Sequence, residues 1–230
     1  MNIAIIAAAG SGSRMASARP KQFLELAGKP IIFHTLKPFE ECDSINEIIV
    51  VLPAEDSAGF LSMAGKLGLR KLTKVIPGGV TRADSVRRGL QAIRSATAEI
   101  VAVHDGVRPF VTVDEIEKTI VAARSTGAAI LVAPATDTIK EVNETGDVIR
   151  TIDRKQLRHA LTPQCFRFDL LRRAFETVDV SDASITDESY LIEQLGERVS
   201  IVEGSARNIK ITTKADLAVA ETMLRGGFWS

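Results

Sequence analysis

Short apolar, β-branched runs alternate with longer segments of helical period, and this alternation restricts the fold more than any other feature of the chain. The runs are Ile3–Ala9, Glu47–Leu52, Val75–Ile76, Glu99–Val103, Ala128–Ala133 and Arg198–Val202. Strands that read as nearly continuous hydrophobic stretches are covered on both faces, as in a parallel sheet built of βα units. Between them, Asp84 to Ala96 carries Val86, Leu90 and Ile93 at i, i+4 and i+7. Thr112 opens a helix through Ile116 and Ile120, with Glu115 placed to complete a capping box. Leu170, Ala174, Phe175 and Val178 mark another covering helix, Tyr190, Leu191 and Leu195 a further one, and Thr213 opens a last one through Leu217 and Leu224.

One segment breaks this rhythm. Thr138–Val142 and Val148–Ile152 are joined by Asn143-Glu144-Thr145-Gly146-Asp147, which reads as a hairpin. A lone two-stranded hairpin is marginal in water, so this arm, inserted at about residues 136–158, needs a surface to pack on, and a second copy of the chain is the favoured one. The expected fold is α/β and Rossmann-like, a mostly parallel three-layer sheet with a protruding β-hairpin arm, formed by residues 1–230 as a single domain.

Composition sets outer bounds. With 45% hydrophobic and 25% charged residues, the 230-residue chain has the make-up of a globular protein. Its 29 basic and 29 acidic residues cancel, so no global field attracts nucleic acid or an anionic membrane. An anionic ligand must be met locally. Cys42 and Cys165 lack CxxC spacing, which fits a reducing, cytoplasmic compartment and gives neither a disulfide framework nor a metal knuckle. Ile3–Ala9 is too short for a signal peptide or a spanning helix.

In open α/β sheets, ligands sit beyond the carboxyl ends of the strands. The first such loop, Ala7-Ala8-Ala9-Gly10-Ser11-Gly12-Ser13-Arg14-Met15, brings small residues and two glycines to a strand end and then presents a guanidinium. Backbone amides in such a loop approach phosphate closely. Pro20-Lys21-Gln22 follows. Arg14 grips phosphate oxygens as a fork and Lys21 acts as a point charge, a pair suited to a phosphoryl group in transit. Met15 stands where a dinucleotide fingerprint needs its third glycine, and no Gly-Lys-Ser/Thr of a Walker A loop is present.

Ala8-Ala9-Gly10-x-Gly12-x-Arg14-Met15 with Pro20-Lys21 resembles the signature of nucleoside triphosphate transferases that make nucleotide-activated sugars and alditols. His104-Asp105-Gly106-Val107-Arg108-Pro109, Ala135-Thr136-Asp137-Thr138-Ile139-Lys140, Leu161-Thr162-Pro163-Gln164, Ile185-Thr186-Asp187-Glu188 and Asn208-Ile209-Lys210-Ile211-Thr212 narrow the resemblance. Together they are similar to the 2-C-methyl-D-erythritol 4-phosphate cytidylyltransferases of the non-mevalonate isoprenoid pathway. The resemblance runs from the first strand to the last helix.

It implies attack by an alditol phosphate oxygen on the α-phosphorus of CTP, with Mg²⁺ as cofactor and pyrophosphate as leaving group. Because the nucleophile is already an anion, no general base is needed, and catalysis becomes positioning and charge neutralisation. By the resemblance, Arg14, Lys21 and Lys210 stabilise the transition state, while Arg154 binds the alditol phosphate and is delivered by the arm to the neighbouring subunit of a homodimer. Ala8, Ala9, Gly10, Ser11, Gly12, Gly79, Arg82, Ser85 and Gly106 fall on the nucleotide. Asp105, Arg108, Thr138, Thr162 and Thr186 fall on the alditol, with Asp105 near the metal and no metal ligand assigned.

Local readings stay open beside these. Asp105 and Arg108 also suit a simple ion pair, Ser85 a helix-start residue and Thr186 an N-cap before Asp187. His34 and His159 read as surface or packing residues, His104 as a group orienting Asp105, and the pairs Arg87-Arg88 and Arg172-Arg173 as solvated helix faces. Val80 and Arg207 depart from the family pattern, which more often has acidic residues there. The alternatives to this reading are the related ribitol 5-phosphate cytidylyltransferases and a nucleotide-binding module without turnover. Loss of Arg14, Lys21 or Lys210 would mark the latter, and all three are present.

Overall fold

The computed structural model describes residues 1–10, 19–94, 96–180 and 185–226. Arg14, Ser11 and Gly12 of the first loop lie outside the described residues, as does Trp229. The main sheet has seven strands. They are β1 (Asn2–Ala7), β4 (Glu47–Leu52), β5 (Leu72–Pro77), β6 (Ile100–Asp105), β7 (Ala128–Pro134), β10 (Arg158–Arg167) and β11 (Ser200–Glu203). Two small antiparallel pairs lie apart from it, β2 (Glu25–Leu26) with β3 (Lys29–Pro30), and β8 (Ile139–Val142) with β9 (Val148–Ile152). The second pair is the hairpin expected from the sequence, in the register Ile139 opposite Ile152.

The strand order is β11-β7-β10-β6-β1-β4-β5. All adjacent pairs are parallel except those made by β10, which runs antiparallel to both β6 and β7. β10 is the strand that the apolar pattern does not reveal. Its ladder to β7 shifts register between Ala160 and Gln164, around Thr162, Pro163 and Gln164.

Period-two alternation divides the sheet between two cores. On one face, Ala4, Ile6, Ile48 and Val50 pack with Ile32, Leu36 and Phe39 of α1 (Ile31–Glu41), Phe60 of α2 (Ala54–Lys66) and Ile116 and Ile120 of α4 (Val113–Thr126). On the other, Ile3, Ile5, Ile49 and Val51 meet Val86 and Leu90 of α3 (Arg82–Gln91), Leu171 and Phe175 of α5 (Phe168–Thr177), and Leu191 of α6 (Glu188–Gln194). A third cluster, with Leu26, Phe110 and Ile211, is covered by Ala220 of α7 (Lys214–Arg225).

Helix starts follow local chemistry. Thr112 and Glu115 form the expected capping box, and Thr213 forms a second one with Asp216. The helix expected from Asp84 is shorter and earlier: Thr81 caps it by accepting from the Asp84 amide, and Ile93 lies past its end. Asp187, not Thr186, caps α6, through the Tyr190 amide. α1 and α2 follow Pro30 and Pro53 without a side-chain cap, so neither carries the usual sequence signal of a helix start.

Candidate active site

A cavity of about 340 Å³ opens at the carboxyl ends of β1 and β6. These strands are neighbours, and β1 is flanked on its other side by β4, so the strand order reverses direction here, the usual ligand position in open α/β sheets. Ala8, Ala9, Gly10, Lys21, Gly79, Arg82, Ser85, Asp105 and Lys210 all line this one cavity. They come from five separate stretches of the sequence.

Close backbone packing brings those stretches together. A Cβ on Gly106 would stand 2.5 Å from the Ala8 Cβ, and one on Gly78 would stand 2.1 Å from the Ala9 Cβ. Only glycine lets the turn after β6 and the loop after β5 close against the end of β1. Gly106 therefore shapes the cavity floor from behind. The loop after β5 is further tied by Arg88, which donates to the Gly78 carbonyl at 2.9 Å and pairs with Asp84. Arg87 pairs with Asp84 as well, so Arg87 and Arg88 brace this loop and are not merely a solvated face. Ser85 donates to the Thr81 carbonyl and accepts from the Gly79 amide, leaving one acceptor lone pair.

The electrostatic centre is Asp105. Its Oδ1 accepts from Arg82 Nε at 2.9 Å, and its Oδ2 from Lys210 Nζ at 2.9 Å and Arg108 Nε at 3.2 Å. Burial pushes the Asp105 carboxyl up, but Arg82, Lys210 and Arg108 together outweigh it and hold the group well below the usual carboxylate range. Asp105 is thus an anion throughout the neutral range. Arg108 is the ion-pair partner of Asp105 and lies behind it, where it also donates to the Asn208 carbonyl at 2.8 Å. Burial lowers its pKa, with Asp105 opposing.

Thr162 sits beneath the same carboxylate. Its hydroxyl accepts from the Asp105 amide and lies 2.9 Å from His104 Nδ1, while His104 Nε2 meets the Arg108 carbonyl. His104 is fully buried, and desolvation pushes its pKa down to about 4. It braces the turn that carries Asp105 and Arg108. Asn208 donates to the Thr162 carbonyl, which fixes the loop that carries Lys210. That loop lies seven residues past β11, so Lys210 reaches the rim from a tethered loop and not from a strand end.

Thr138 and Arg154 are elsewhere. Both are exposed, Thr138 just before β8 and Arg154 at the start of a short 3-10 helix after β9, where its guanidinium donates to the Thr136 carbonyl. Neither lines this chain's cavity. Thr186 is exposed next to Asp187. Val80 stands almost fully in solvent, 97% exposed, at the cavity mouth. His34 is tied to the Leu26 carbonyl, and His159 is exposed.

Three buried polar residues contribute without having been marked by the sequence. Glu188 pairs with Arg82 from below, Asn208 ties two loops, and Gln22 lines the cavity with only 1% exposure and an Nε2 that has no hydrogen-bond partner among the described residues. Burial raises the Glu188 pKa, and Arg82 opposes the rise. Glu188 and Asn208 occur inside motifs noted above, but nothing in their spacing reveals partners so distant in sequence.

Asp105 is the one carboxylate among the described lining residues, and those residues contain no group of three metal-ligating side chains. Such a donor set suits Mg²⁺ carried mainly by phosphate oxygens and water, the ion's usual preference.

Comparison with known proteins gives a consistent result. The family model for 2-C-methyl-D-erythritol 4-phosphate cytidylyltransferase matches residues 2–226. The chain is 44% identical to the protein of that name from Alkaliphilus oremlandii, covering 96% of this chain and 94% of the relative. It is 42% identical to the one from Pelotomaculum thermopropionicum, covering 96% and 93%. Among solved structures, 4-diphosphocytidyl-2C-methyl-D-erythritol synthase from Anaerococcus prevotii superposes with a TM-score of 0.86 at 33% identity, covering 97% and 96%. The Thermus thermophilus cytidylyltransferase gives 0.78 at 32% identity, covering 96% and 98%. By sequence and by fold, the chain belongs to the 2-C-methyl-D-erythritol 4-phosphate cytidylyltransferase family.

Proposed function

We propose that the protein transfers CMP from CTP to 2-C-methyl-D-erythritol 4-phosphate, releasing pyrophosphate and 4-diphosphocytidyl-2-C-methyl-D-erythritol. The observation that carries this reading is the convergence of Lys21, Arg82 and Lys210 around one cavity, with Asp105 as the counter-ion of Arg82 and Lys210. In the reaction an acceptor phosphate oxygen bonds to the α-phosphorus as the bond to pyrophosphate breaks. The nucleophile is an anion, so the protein supplies alignment and positive charge. Two unit charges about 4 Å apart attract by about 4 kcal/mol at an effective dielectric near 20, enough to matter for rate. Lys21 and Lys210, with Arg14 from the first loop, are the proposed stabilisers of charge on the reacting phosphate.

The small-residue loop Ala8 to Gly12 and Gly106 would cradle the triphosphate, and Gly79, Arg82 and Ser85 would hold the nucleoside. The spare lone pair on Ser85 fits the amino group of cytosine and is mismatched to the carbonyl that uracil presents there. Asp105, Arg108, Thr162 and Thr186 would order the acceptor. Mg²⁺ is the proposed cofactor. Held by phosphate oxygens and by Asp105 at most among the lining side chains, it would neutralise charge on the triphosphate.

A homodimer is proposed to complete the site. Val142, Val148 and Ile149 expose apolar surface on the arm, and Arg154 and Thr138 are exposed and do not line this chain's own cavity, which supports their service at a neighbour's. The whole chain would act as one nucleotidyltransferase domain with the arm as an insertion. Both cysteines are free and buried, and no helix among the described residues is long and apolar enough to cross a membrane. These features support a cytoplasmic setting.

Pyrophosphate release with CTP and Mg²⁺, run in parallel with methylerythritol phosphate and ribitol 5-phosphate, tests the reading. Release with the first acceptor is expected. Release with ribitol phosphate alone would keep the mechanism and overturn the substrate.

A further inference from the structure

Arg82 lines the cavity, and its guanidinium carries five N–H donors in one plane. Nε donates to Asp105 Oδ1 at 2.9 Å, and Nη1 donates to both oxygens of Glu188 at 2.8 and 3.0 Å. Nη2 has no protein partner among the described residues. A guanidinium beside a single carboxylate tends to close on it in a two-bond fork. A fork that includes Nε would use Nη2, but Asp105 Oδ2 is already taken by Lys210 and Arg108, and Glu188 holds the guanidinium at Nη1 instead.

The segment that holds Glu188 is itself fixed. Gln164 on β10 donates to Asp187 Oδ2 at 2.8 Å and accepts from the Ser189 amide at 3.1 Å, so one side chain clamps the residues on both sides of Glu188. Glu188 is 1% exposed, and its carboxylate faces Arg82. A surface ion pair has no such scaffold, whereas a buried one that loses a partner is strongly penalised.

We propose that Glu188 is a positioning residue for nucleotide binding: by holding Nη1 it turns Arg82 so that the two donors of Nη2 face the cavity and bind an oxygen of CTP. This rests on the reading of the cavity as a CTP site.

The test is a double-mutant cycle on the full chain, with CTP affinity measured by calorimetry in the presence of Mg²⁺. Glu188→Gln keeps the side-chain shape and should weaken CTP about tenfold. Arg82→Gln should weaken CTP at least as much. Because Glu188 acts only through Arg82, the double variant should bind CTP no worse than Arg82→Gln alone. Full additivity of the two losses, or unchanged CTP affinity in Glu188→Gln, would overturn the assignment. Should Glu188→Gln fail to fold, Glu188→Asp, one methylene shorter, carries the same cycle with the same criteria.

Turnover with methylerythritol phosphate is measured alongside. A coupled cycle with CTP binding but no turnover would remove the proposed reaction and leave Glu188 its role. Turnover with an additive cycle would do the reverse, and an unmodified protein that does not bind CTP would remove both.

Discussion

Lys210 Nζ lies 2.9 Å from Asp105 Oδ2, joining a residue from the last loop of the sheet to one at the end of a central strand. A cation proposed to act on the reacting phosphate is thereby held by a carboxylate that also receives Arg82 and Arg108. Three guanidinium or ammonium groups share one anion, so the cluster keeps positive charge in excess around Asp105 even with Glu188 ionised. This excess suits a polyanionic ligand.

Lys210→Ala should lower kcat by about two to three orders of magnitude, the usual cost of removing a group aimed at developing transition-state charge. Steady-state kinetics with saturating CTP and acceptor would show it. A variant with near-normal kcat would place Lys210 outside the reacting centre.

Lys21→Ala should act in the same sense, with kcat falling by orders of magnitude while CTP still binds. Calorimetry beside the kinetics separates the two quantities. Equal losses in CTP affinity and in kcat/KM, with kcat itself unchanged, would make Lys21 a simple binding residue.

The arm predicts a split effect. Arg154→Ala should raise KM for the acceptor phosphate by about tenfold or more and leave CTP affinity unchanged, since Arg154 lies outside this chain's own cavity. Sedimentation should give twice the 24.8 kDa chain mass. A monomer with full activity would rule out a site shared between subunits.

His104 makes stability depend on acid. It is buried with its pKa pushed down to about 4, against 6.5 for an exposed histidine. Between these values the unfolded chain binds a proton that the folded chain refuses, so stability falls as pH drops from 6.5 toward 4, by up to about 3 kcal/mol. Glu188 works in the opposite sense above its ordinary value of 4.5, because burial raises it. Urea unfolding at pH 7 and pH 4.5 should therefore show a larger acid loss in the unmodified protein than in His104→Gln. Equal losses would mean that His104 is not held neutral.

How legible each part was in the sequence depended on where its forces come from. β4 occupies the stretch Glu47–Leu52 that its apolar run marks, and the Thr112–Glu115 box starts α4, because both depend on neighbouring residues. β10 did not show. A proline argues against a central strand, and Thr162 and Gln164 look like loop residues until the structure shows them supporting Asp105 and clamping the start of α6. α1 was hidden in the same way, with Pro38 inside it and no cap before it.

Within the site, the glycine loops and the Asp105 turn stood out because close backbone approach requires glycine at Gly78 and Gly106. Glu188 and Asn208 did not, since each works through a partner far away in the chain: Arg82 for the first and the Thr162 carbonyl for the second.

Phosphorus NMR of the full-length protein with CTP, Mg²⁺ and 2-C-methyl-D-erythritol 4-phosphate tests the central claim most directly. The acceptor phosphate resonance should disappear as two coupled resonances of a diphosphate diester and an equal amount of pyrophosphate appear. An acceptor resonance that persists while CTP stays intact, or while CTP is merely hydrolysed, would contradict the assignment of this cavity as a cytidylyl-transfer site.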